Sequence, residues 1–75
     1  MLSIIPAENR PSPAEAWDAY VAARGIFLAD PGAVAGNLAL RALGAFCVAS
    51  DMDAAETRET LQTAMGSILS RLFAA

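Results

Sequence analysis

The sequence predicts an all-α fold, a small three-helix bundle with a central, nearly all-apolar second helix and an extended N-terminal arm. Three observations carry that prediction. Hydrophobic residues make up 56% of the 75-residue chain and charged residues only 17%, a balance that disordered chains reverse. Ala, the strongest helix former, dominates the apolar set, while Val and the aromatics that build sheets are sparse. Three segments also open with helix-start grammar. We therefore expect an arm over residues 1–12 and a single domain over 13–75. A chain this short buries only about 60% of its unfolded surface, so its core is small.

The arm holds Pro6 and Pro11 and an apolar cluster, Leu2, Ile4 and Ile5. It is expected either to lie on its own bundle or to dock on a partner. Helix one opens at "SPAEAWDAYVAARG". Ser12 suits the cap, Pro13 the first helical position, and Glu15 completes a capping box. Ala14, Trp17, Tyr20, Val21 and Arg24 recur at helical spacing, which places Trp17 and Tyr20 in the core. Gly25 is expected to end the helix in a left-handed conformation, with Ile26 packed on Val21. "IFLADP" then becomes a connector whose apolar residues plug one end of the core.

Asp30 and Pro31 repeat the cap-then-proline pattern, so helix two is expected from Pro31 to about Ala49. Asn37 and Arg41 are its only strongly polar side chains before Ser50. Flanking helices can cover two of its sides. The third side, containing some of Ala35, Leu38, Ala42, Ala45 and Ala49, is left for a second copy or a partner, unless "IFL" and the Met1–Ile5 arm cover it. Gly36 and Gly44, two turns apart, are expected to let another backbone approach there. In helix three Asp53 caps and Glu56 completes a second box. Leu61, Met65, Ile68 and Leu72 form an amphipathic stripe that Leu69 and Phe73 widen. Glu56, Glu59, Thr63 and Ser70 lie on the wet face. Short loops make sequential helices antiparallel.

Chemistry is thinly supplied. The chain has no His, which removes the commonest general base and metal ligand. "GAVAG" lacks the strand before it and the Lys after it that a phosphate loop needs. Cys47, the single cysteine, sits toward the C-terminus of helix two. Free Cys there reads as a small buried hydrophobe, because the helix dipole disfavours a thiolate. Asp51, Asp53, Glu56 and Glu59 form an acidic run. Oxygen ligands can hold Mg²⁺ or Ca²⁺, but the run lacks a calcium-loop spacing and is accounted for by helix-start chemistry. It is also a surface that a basic partner could meet.

The net charge of −3 repels phosphate and argues against nucleic acid as a partner. Helix three starts acidic and helix two starts with Gly and Ala, so neither suits a DNA-recognition helix. Arg41 falls near the middle of Pro31–Ser50, and a charge there costs at least about 2.5 kcal/mol in a bilayer. No membrane span is expected. The first residues do not read as a signal peptide, which makes the cytoplasm the default.

The Pro-containing head followed by "AEAWDAYVAA" resembles small accessory proteins of phages and prophages of GC-rich bacteria. The likeness spans a short part of the chain, includes no catalytic motif and assigns no residue a role. It implies a mobile-element accessory or inhibitor protein. The sequence as a whole leads to a small acidic, non-catalytic protein-interaction module, expected to self-associate as a homodimer and to need no cofactor. The alternative is an inhibitor of a host nucleic-acid-handling complex, of anti-CRISPR or anti-activator type. Further alternatives are a helix-turn-helix-like DNA binder and a metal- or thiol-dependent enzyme.

Overall fold

The computed structural model describes residues 11–74. They form three helices: α1, Pro13–Ala29; α2, Ala33–Ala49; and α3, Ala54–Leu72. Leu2, Ile4 and Ile5, with residues 1–10 of the arm, lie outside the described residues.

The start of α1 follows its sequence grammar. The Glu15 amide donates to Ser12 Oγ at 3.1 Å, and the Ser12 amide donates to Glu15 Oε1 at 3.0 Å. Two of the helix's orphan N-terminal donors are satisfied in this way. The end of α1 differs from expectation. Gly25 has no positive φ, and the helix runs through it to Ala29. An interior Gly costs about 1 kcal/mol in a helix. Continuing for another turn places Phe27, one of the two largest fully buried side chains, in the core, and burying a Phe outweighs that cost. The "IFL" segment is therefore helix, not connector.

Pro31 sets the actual stop. The residue before a proline is driven out of the α region, and Asp30 lies outside it at φ −147°, ψ 81°. Asp30 thus ends α1 instead of opening α2. Gly32 is the cap residue of α2, without a side-chain cap bond. At α3, Asp53 Oδ1 accepts the Glu56 amide at 2.8 Å, giving the cap without the reciprocal half of a box.

The α2–α3 turn is a Schellman motif. The Met52 amide donates to the Cys47 carbonyl and the Asp51 amide to the Val48 carbonyl. Asp51 takes the left-handed conformation at φ 56° that a glycine commonly holds at this position.

The helices run antiparallel in order. Trp17 of α1 meets Phe46 of α2 with ring centroids 5.0 Å apart, and Phe27 meets Gly36 at the other end. Ala16 and Phe27 of α1 and Gly36, Ala39, Leu43 and Cys47 of α2 are buried, whereas no residue of α3 is. Gly36 is the point where all three helices converge. A Cβ there would lie 2.8 Å from Ile68 Cγ2 and 3.3 Å from Phe27 Cε1. The close approach expected at this glycine is therefore made by the chain's own helices. Gly44 has nothing within 4 Å of a Cβ.

In a closed three-helix bundle each helix packs on both others. Here α2 packs on α1 and on α3, whereas no Cα of α1 comes within 8 Å of a Cα of α3. The helices occupy three corners of a four-cornered bundle. α2 is central, as the sequence implies.

Candidate functional site

Two open surfaces follow from that arrangement. The first is the uncovered side of α2. Val34, Leu38, Arg41, Ala45 and Val48 recur at spacings of four, three, four and three, and all five are exposed. Val34 is 76% exposed, Leu38 53% and Val48 71%. These values decide that neither α1 nor α3 covers this side. Of the expected interface residues, Leu38 and Ala45 lie on it. Ala35 and Ala42 are half-buried and do not belong to the open stripe. Val34 and Val48 complete it instead. Their heptad-like spacing with Leu38 was the signal that could have found them.

The second surface is a groove between α1 and α3, floored by α2, with a volume of about 520 Å³. Trp17, Tyr20 and Leu28 line it from α1, Leu43 and Phe46 from α2, and Thr60, Thr63 and Ser67 from α3. Trp17 stacks obliquely on Tyr20 at 5.2 Å and remains 44% exposed. It is a groove-wall residue, where the sequence had placed it in a closed core. Val21, 50% exposed, is not core either; the inward face of α1 is Ala16, Tyr20, Ala23 and Phe27.

The outer side of α3 also corrects an expectation. Met65, Leu69 and Phe73 continue the apolar stripe but remain exposed, Phe73 at 81%, and none of them lines the groove. Leu61, Ala64, Ile68 and Leu72 are half-buried. Packing on a single neighbour covers only one arc of a helix, and the widened stripe exceeds it.

Asp51, Asp53, Glu56 and Glu59 are all exposed. Because α1 and α3 are parallel, Glu15 and Asp18 stand at the same end of the bundle. Among the described residues no group of three or more His, Cys, Asp or Glu is placed to hold a metal ion. Cys47 is a free, fully buried thiol. No helix among the described residues is long and apolar enough to cross a membrane. Searches of protein-family models, curated proteins and solved structures find no match to this chain.

Proposed function

We propose that the protein is a small, acidic, non-catalytic protein-interaction module of the cytoplasm that self-associates as a homodimer through the open side of α2. The observation that carries this reading is the uncovered stripe of Val34, Leu38, Ala45 and Val48. An exposed apolar strip on so small a monomer is best relieved by a second copy of itself. Arg41 at the centre of the stripe constrains the geometry. Two guanidinium groups facing each other across a two-fold axis repel, so the axis passes to one side of Arg41. The Arg41 stem then covers apolar surface while its head reaches the rim.

Sedimentation velocity over a concentration series tests the proposal, with Leu38→Asp beside the wild type. The wild type should dimerise, and the variant should remain monomeric with an unchanged helical circular dichroism spectrum. A variant that dimerises like wild type places the interface elsewhere. Arg41→Leu should tighten the dimer by replacing a charged side chain with apolar contact surface.

A second reading is favoured by the acidic end of the bundle, where Glu15, Asp18, Asp51, Asp53, Glu56 and Glu59 gather. An inhibitor of a host nucleic-acid-handling complex, of the anti-CRISPR or anti-activator kind carried by mobile elements, would present such an end to a basic surface. Its binding would weaken steeply with salt; binding indifferent to salt counts against it.

A further inference from the structure

We propose that the fourth corner of the bundle, vacant among the described residues, is a docking site for an amphipathic helix supplied by a partner protein, basic toward Glu59 and acidic toward Arg24 and Arg71. This site is separate from the α2 stripe and does not depend on self-association.

Three observations carry the proposal. The first is topological. α1 and α3 both pack on α2, while their own backbones stay more than 8 Å apart Cα to Cα, which leaves open, among the described residues, the position where a helix would touch both of them. The second is dimension. From Glu59 to Arg71, both in the groove wall, α3 rises about 18 Å at 1.5 Å per residue. Three turns of a docked helix fit that span, and Trp17, Tyr20 and Phe46 offer it an aromatic floor and wall.

The third is charge. Glu59 stands at the end where α1 and α3 begin, and Arg24 and Arg71 stand toward the end where they finish. A helix with the ordinary arrangement, acidic in its first turn and basic in its last, matches both ends when it runs antiparallel to α1 and α3. That is also the direction that alternation around a four-helix bundle requires. A second copy's α3 is a poorer occupant. Arg58 shares the exposed side of α3 with Met65 and Leu69, and in the same antiparallel direction it would meet Arg24 and Arg71.

The test uses the full chain and a synthetic fourteen-residue peptide without Trp. The peptide has a leucine stripe at helical spacing, Glu in its first turn and Arg in its last. Trp17 is the single tryptophan and lines the groove, so its emission reports occupancy directly. The expected result is a saturable blue shift with the amphipathic peptide and none with a peptide of the same composition whose leucines are scattered. Thr63→Arg, which fills the groove from an exposed position, should abolish the shift, while Val48→Asp on the far side of α2 should leave it intact. Ser67→Arg serves as a second groove-filling variant should Thr63→Arg lose its helical spectrum.

Glu59→Arg should weaken binding about threefold, the scale of an exposed ion pair. A peptide with Glu in its last turn should recover that loss. No shift with the amphipathic peptide, or equal shifts with both peptides, overturns the proposal. Trp17 emission that moves with the protein's own concentration in the absence of peptide also overturns it, because the groove is then filled by a second copy. Leu38→Asp dimerisation behaviour is unaffected by any of these outcomes and is decided by sedimentation alone.

Discussion

All of the buried side chains among the described residues belong to α1 and α2, whereas α3, the longest helix, has none. The α1–α2 pair achieves its contact with small residues. Ala16, Gly36 and Ala39 let the two backbones approach, and Phe27, Leu43 and Cys47 fill the remaining space. α3 rests on α2 through half-buried Leu61, Ala64, Ile68 and Leu72, and leaves Met65, Leu69 and Phe73 to solvent. The comparison separates a helix pair that stabilises the fold from a helix that is docked along one edge and available for contact. In a chain too short for a large core, such a division leaves apolar surface for a partner to cover.

The largest way to break the comparison is Phe27→Ala. Phe27 is fully buried and touches the point where the three helices meet. Its loss should cost about 3–5 kcal/mol, comparable with the whole stability of a domain this size. Urea titration followed by circular dichroism should show the cooperative transition lost or moved to very low denaturant.

Next in size is a pair of identical substitutions with opposite signs. In Gly36→Ala the new methyl meets Ile68 Cγ2. Overpacking of about 1–3 kcal/mol exceeds the roughly 1 kcal/mol that Ala gains over Gly in a helix. The variant should be destabilised, with α3 loosened first. Gly44→Ala meets open space and should stabilise by up to about 1 kcal/mol. Adding Ile68→Ala should restore part of what Gly36→Ala loses, and the coupling in that double-mutant cycle measures how firmly α3 is seated. Additive effects would show that Gly36 and Ile68 are not in contact.

The smallest effects sharpen the comparison at the caps. Ser12→Ala and Asp53→Ala each remove a side-chain cap and should cost about 1 kcal/mol. For Ser12 the loss should appear in global unfolding. For Asp53 it should appear as faster hydrogen exchange confined to the first turn of α3.

Much of the fold was legible. The capping box at Ser12 and Glu15, the cap at Asp53 and the all-round apolarity of α2 correctly placed two helix starts and the central helix. The regular stripe of α3 pointed the other way. It reads as a core-facing stripe, yet no residue of α3 is buried, because burial depends on how many neighbours a helix has and not on how clean its stripe is. Gly25 and Asp30 failed for a related reason. Both carry strong boundary signals, but tertiary burial of Phe27 drew the helix past Gly25, and Pro31 then made Asp30 an end instead of a beginning. The α2 stripe was half legible: of the five positions the open side could hold, Leu38 and Ala45 are exposed and Ala35, Ala42 and Ala49 are half-buried, because no helix-packing direction can be read from a uniformly apolar segment. The groove was not legible at all, since it exists only because α1 and α3 fail to meet.

The most direct single measurement is hydrogen–deuterium exchange on the full chain at low and at high protein concentration, read helix by helix. Amides of α1 and α2 around Phe27, Leu43 and Cys47 should be protected at both concentrations. Amides of α3 should exchange quickly at both concentrations, and the protection added at high concentration should fall on the exposed side of α2 around Leu38 and Ala45. Protection of α3 equal to that of α1 and α2 at low concentration, with none added to α2 on concentrating, would contradict the division between a stabilising pair and a helix left open for contact.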